Sequence, residues 1–119
     1  ERTYRGLLDQ ARQANPALKI VLCTPFAAPC GKIVEGALGE YYPLRQRILA
    51  QCCVIVERIA ADYGATLVPF HRLIADLETR LPNGDATYWV WDGIHPTPAG
   101  QRLMADCWIG AAARNGVME

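Results

Sequence analysis

An α/β layered fold with a parallel sheet is what the sequence predicts, on three observations. Helical periodicity alternates with short continuous apolar runs along most of the 119 residues. The apolar runs are Lys19-Ile20-Val21-Leu22-Cys23, stopped by Thr24-Pro25, and Ala65-Thr66-Leu67-Val68-Pro69. Runs of that kind belong to strands covered on both faces, as in parallel sheets. The first run is followed by a long aperiodic stretch, the arrangement in which strand ends of open α/β sheets carry binding loops.

Taken in order, Tyr4, Leu7, Leu8 and Ala11 fall at i, i+3, i+4 and i+7, an amphipathic helix that Asn15-Pro16 ends. The first strand follows, over 19–23. From Phe26 to about Tyr42 the chain holds three glycines and two tyrosines with little periodicity, and reads as a long loop. Leu44, Ile48, Cys52, Ile55, Val56, Ile59 and Tyr63 form a helical stripe that begins near Pro43 and is closed by Gly64. Arg45, Arg47, Glu57, Arg58 and Asp62 fill its other positions as a solvated face. The second strand comes next, then a helix on Phe70, Leu73, Ile74 and Leu77, then the turn signal Pro82-Asn83-Gly84. Leu103, Met104, Cys107, Trp108 and Ala111 mark the final helix.

Composition bounds the function. Half of the residues (51%) are hydrophobic, with 12 basic against 12 acidic, the profile of one globular domain rather than a disordered chain. A formal net charge of zero gives no support for a nucleic-acid or anionic-membrane partner. No run approaches the ~18 apolar residues that a spanning helix needs. No signal peptide is visible, but the chain opens on Glu1 rather than methionine, so that start is read as internal. The five cysteines are odd in number and show no Cys-x-x-Cys spacing, so small buried side chains in a reducing, cytoplasmic setting are expected over disulfides or zinc.

Two short parallel strands cannot form a stable sheet alone, because their faces and edges need neighbours. The four predicted helices carry more apolar stripe than two strands would cover. The sequence therefore reads as the second half of a domain.

The chemistry concentrates in Trp91-Asp92-Gly93-Ile94-His95-Pro96-Thr97-Pro98-Ala99-Gly100. A carboxylate stands three residues before a histidine, so it can hold one ring nitrogen while the other moves a proton. Pro96 pushes His95 out of helical geometry, Thr97 is placed to cap the next helix, and Pro98 takes its first position. The chain contains no serine.

Asp-Gly-Ile-His-Pro-Thr-Pro-Ala-Gly resembles the last sequence block of the SGNH hydrolases, the GDSL-type esterases and lipases. The resemblance implies a three-layer α/β/α flavodoxin-like fold, of which residues 1–119 are the C-terminal portion with about the last two strands and their helices. It implies a Ser-His-Asp triad with His95 as general base and Asp92 as its orienting partner. The nucleophile and the oxyanion-hole glycine and asparagine of that family have no counterpart here; Asn15 and Asn83 precede or follow the wrong elements. The expected substrate is a small ester, an acetylated carbohydrate included, with no cofactor and no metal, and the N-terminal part of the domain is expected from the same or another chain. Ile94 and Trp91 are candidates for lining the substrate pocket, Trp89 for either pocket or core, and His71 for a structural role. A truncated, non-catalytic binding or assembly module is the alternative reading. A metal-dependent hydrolase using His71, His95, Asp92 and cysteines has no ligand spacing behind it.

Overall fold

The computed structural model describes residues 1–80 and 86–118. The turn signal Pro82-Asn83-Gly84 lies outside the described residues. In chain order the elements are α1 (Arg2–Ala14), β1 (Val21–Cys23), a 3-10 turn (Gly31–Val34), α2 (Gly36–Glu40), α3 (Tyr42–Asp62), β2 (Thr66–Val68), α4 (Phe70–Arg80), a second 3-10 turn (Ala86–Tyr88) and α5 (Pro98–Arg114). The chain is thus mixed α/β with a small parallel sheet, as the alternation of periods requires.

β1 and β2 pair in parallel, with Val21 opposite Thr66, Leu22 opposite Leu67 and Cys23 opposite Val68. The crossover between them is α3, which packs on both strands, while α5 packs on β2. Ile20 and Leu22 meet Val56, Ile59 and Ala60 of α3 in one core cluster, and Tyr4 and Leu8 of α1 close it from the side. Burying a side chain such as Ile59, fully enclosed here, contributes roughly 1.5–3 kcal/mol. α3 stops at Gly64, where the Ala65 N–H reaches the Ala60 carbonyl (2.8 Å) and the Gly64 N–H reaches Ala61 (3.2 Å).

Three expectations change. The segment after β1 is not a plain loop, since the 3-10 turn and α2 lie within it; at 4 and 5 residues neither is long enough to show a period. Of the predicted stripe on α3 only Val56 and Ile59 are buried, and the other buried residues of that helix, Cys53 and Ala60, lie off it. Leu44 and Ile48 remain 46% and 51% exposed, and Leu7 of α1 is exposed as well. The cysteines are all free, but only Cys30 and Cys53 are buried, and Cys52 is exposed.

A second core cluster lies beneath the motif loop. Ala28, Cys30, Ile74, Ala86 and Val90 form it, with Phe26, Leu77 and Trp89 packed against them. It joins the segment after β1, α4 and the approach to residues 91–97 into one support. No helix among the described residues is long and apolar enough to cross a membrane.

Candidate active site

The motif loop is closed at its base by backbone pairing. Val90 and Pro96 form an antiparallel bridge, the Trp91 N–H donates to the His95 carbonyl (3.2 Å), and the Thr97 N–H donates to the Trp89 carbonyl (2.9 Å). Thr97 then does two things with one hydroxyl. It accepts the Gly100 N–H (3.1 Å), capping α5 with Pro98 at its start, and donates to the Tyr88 carbonyl (2.7 Å). His95 is thereby held in a loop between a bridge and a capped helix, as the sequence suggested.

Inside this loop Asp92 uses both carboxylate oxygens. One accepts the backbone N–H groups of Ile94 (3.0 Å) and His95 (2.8 Å), and the other meets His95 Nδ1 at 2.7 Å. The first two bonds make a local turn around the aspartate and fix the third. The His95 N–H, the His95 ring and the Ile94 N–H together hold the Asp92 carboxyl down to about 2, against an ordinary 3.8. With Nδ1 engaged, Nε2 is left as the working edge of a ring whose side chain is 68% exposed, while Asp92 is only 17% exposed. A carboxylate that orients an exposed imidazole through Nδ1 can fix its tautomer and stabilise its protonated form during proton transfer.

The depressed Asp92 pKa carries a stability consequence of definite sign. A carboxylate whose folded pKa lies below its unfolded one stabilises the loop fully above the unfolded value, near ~3.9, and loses that contribution as pH falls toward about 2. The His95 amide proton, followed by NMR from pH 6 downward, is expected to shift with a midpoint near 2. A midpoint at the ordinary aspartate value would show that the turn does not hold the carboxylate in solution.

The support beneath the loop comes from far away in sequence. The Ala28 N–H donates to the Gly93 carbonyl (2.9 Å) and the Cys30 thiol donates to the Val90 carbonyl (2.8 Å). Gly93 has φ +90°, and a Cβ there would sit 2.4 Å from Ile33 Cγ1 and 2.6 Å from the Cys30 carbonyl oxygen. Backbone angle and close approach both demand glycine. The only sequence signal for this cradle was the aperiodic stretch after the first strand, which did not single out Ala28, Cys30 or Ile33.

The other candidates separate cleanly. Trp91 is 57% exposed and stacks beside the His95 ring, centroids 6.1 Å apart and planes 28° from parallel, and Ile94 is exposed next to it. Trp89 turns inward, half-buried against the second core cluster, with its indole nitrogen enclosed and without a hydrogen-bond partner among the described residues. Asn15 is engaged in a turn, its side chain accepting the Ala17 N–H (3.1 Å). His71 makes a superficially triad-like line, with Nδ1 2.8 Å from the Thr24 hydroxyl and Nε2 3.6 Å from Glu57. Yet Thr24 is 2% exposed and its hydroxyl also accepts the His71 N–H (3.2 Å). That hydroxyl joins the end of β1 to the start of α4 and is out of a substrate's reach. Burial lowers the His71 pKa, which disfavours the charged ring there. Among the described residues no group of three or more His, Cys, Asp or Glu side chains is placed to hold a metal ion.

The model of the GDSL-like lipase/acylhydrolase family matches residues 1–103. The chain belongs to that family. A solved structure described as a GDSL-like lipase, from Parabacteroides merdae, has the same fold at a TM-score of 0.76 and 28% identity, over 92% of this chain. This chain spans 46% of the length of that protein. Comparison with curated proteins gives no match.

Proposed function

We propose that residues 1–119 are the C-terminal portion of a single SGNH-type domain, a serine carboxylic ester hydrolase whose Ser-His-Asp triad draws His95 and Asp92 from this chain. The serine and the oxyanion hole come from the N-terminal part, on the same polypeptide or on another, and that part supplies the remaining strands of a three-layer α/β/α fold. The observation that carries the reading is the Asp92–His95 pair itself: Nδ1 at 2.7 Å from the carboxylate, Nε2 on an exposed edge. Membership of a family of lipases and acylhydrolases supports the same chemistry.

The shape of the chain supports the partial-domain reading. Its radius of gyration is 16.0 Å, against about 13–14 Å for a compact domain of this length. Its surface is 7564 Å², against roughly 6,400 Å² for a folded monomer of its mass. The excess, on the order of 1,000 Å², is the size of one side of a substantial interface. Leu44, Ile48 and Leu7, the apolar residues the two strands fail to cover, belong to that excess.

In the complete enzyme His95 Nε2 takes the serine hydroxyl proton as that oxygen bonds to the ester carbonyl carbon. The proton then passes to the departing alcohol oxygen, leaving an acyl-serine. Water, deprotonated by the same nitrogen, bonds to the acyl carbon, the bond to the serine oxygen breaks, and Nε2 returns the proton to that oxygen as the acid departs. Asp92 holds the ring and offsets the imidazolium charge at both stages. Trp91, just before Asp92, and Ile94, between Asp92 and His95, are both exposed and line the substrate side. Small acyl or acetyl esters, acetylated carbohydrates among them, are the proposed substrates; the 119-residue chain alone hydrolyses none. In the complete enzyme the kcat/KM for 4-nitrophenyl acetate is expected to exceed that for 4-nitrophenyl palmitate by at least about tenfold, a difference of ~1.4 kcal/mol. Preference for the palmitate ester would sink the substrate assignment, and hydrolysis of neither would sink the function.

A further inference from the structure

Away from the motif loop, α3, α4 and Ala27 line a partly open cavity of about 330 Å³. None of its lining residues belongs to 89–97; its polar ones are Tyr42, Gln46, His71 and Glu78, and Leu49 with several alanines supplies the walls. Its volume is at the low end of small-molecule sites, ~300 Å³ and upward, and its lining, apolar with few polar groups, is of their kind.

Glu78 is the feature that calls for a ligand. It is half-buried at the cavity, and no hydrogen bond or ion pair reaches it from the described residues. The nearby polar groups are engaged elsewhere. Gln46 donates its amide to the Tyr42 hydroxyl and to the Ala27 carbonyl (3.3 Å), His71 faces Thr24 and Glu57, and Arg72 pairs with Glu57 at 2.7 Å. Burial raises the Glu78 pKa, and Glu78 in turn helps raise that of Tyr42. A carboxylate drawn from water without a partner is costly, and a cation beside it relieves that cost. An anionic ligand would meet Glu78 with no cationic side chain lining the cavity to offset it.

We propose that the α3–α4 cavity is a second ligand site, which takes a small organic ammonium ion with its nitrogen on the Glu78 carboxylate and its apolar body against Leu49, Ala50 and Ala75. The site stands apart from the esterase reading and does not depend on it. It does touch the motif loop through one peptide. The Ala27 carbonyl accepts Gln46 at the cavity wall, and the next N–H, that of Ala28, donates to Gly93. Occupancy is therefore expected to register at Gly93.

The test is an NMR titration of the complete protein, residues 1–119 together with the rest of the domain, with n-butylammonium chloride, against n-butanol as the neutral analogue and sodium chloride for ionic strength. Butylammonium is expected to shift Ala27, Gln46 and Glu78 signals saturably with a millimolar midpoint, and Gly93 with the same midpoint. Butanol and salt should not. Glu78→Gln, nearly isosteric, is expected to raise that midpoint at least tenfold with the remaining spectrum unchanged, and Ala75→Leu to raise it by narrowing the cavity while leaving the carboxylate. Equal shifts from butanol, a midpoint indifferent to Glu78→Gln, or no saturable shift at all would each overturn the proposal.

Discussion

Replacing His95 by alanine is expected to reduce ester hydrolysis by the complete enzyme by about 10⁴-fold or more, with KM little changed. The size follows from the role. In the proposed mechanism the imidazole acts on protons that move in the transition state, so its loss would fall on kcat, and four decades correspond to roughly 5.5 kcal/mol of transition-state stabilisation. Asp92→Asn separates orientation from folding. The amide oxygen can still accept the Ile94 and His95 N–H groups that now bond at 3.0 and 2.8 Å, so the loop persists. The amide nitrogen, however, would face His95 Nδ1 as a donor and force the opposite tautomer, placing a proton on the nitrogen that must accept one. A loss of about 10²–10⁴-fold with unchanged thermal stability is the expected pattern. Activity within tenfold of wild type in His95→Ala would remove the histidine from the mechanism.

Gly93→Ala is expected to be the most damaging change of a single methyl group in the motif loop. At φ +90° an alanine is strained by about 1–3 kcal/mol before it touches anything. Its methyl would then press on Ile33 and on the Cys30 carbonyl, which belong to the support of the loop. Gly64→Ala is the control, since Gly64 has φ +56° and nothing within 4 Å of a Cβ, so only the backbone strain remains. Thermal unfolding should show Gly93→Ala less stable than Gly64→Ala by at least about 1 kcal/mol. Displacement of the Asp92–His95 pair by about an ångström adds on the order of a 10²-fold loss of activity. Equal stability of the two variants would mean that the loop and its support do not touch as described.

Legibility in the sequence followed the range of each interaction. Asp92, His95, Thr97 and Pro98 were readable because their contacts lie within a few residues, and the capped, bridged loop has the geometry those residue types demand. The long helices were readable because burial of one face imposes a period, and the strands because cover on both faces leaves a continuous apolar run. The stripe on α3 was only half right for a physical reason: a period says which face is apolar, not whether anything covers it. Leu44 and Ile48 lie on the stripe and stay exposed, whereas Val56 and Ile59 meet β1. The cradle was not legible, since Cys30 and Val90 are 60 residues apart and no local pattern announces a thiol beneath a carbonyl. Trp89 and Trp91, equivalent as letters, part company because Trp89 faces the second core cluster and Trp91 faces His95.

The central claim is that Asp92 and His95 activate a serine supplied from outside these 119 residues, which contain none. Intact-mass analysis after treatment with a fluorophosphonate, a reagent that captures activated serines, tests it most directly. The account expects one label on a longer form of this chain or on a second polypeptide bound to it, and loss of that label in His95→Ala. A complete enzyme that hydrolyses esters yet takes no label, or one labelled as fast without His95 as with it, would contradict the account.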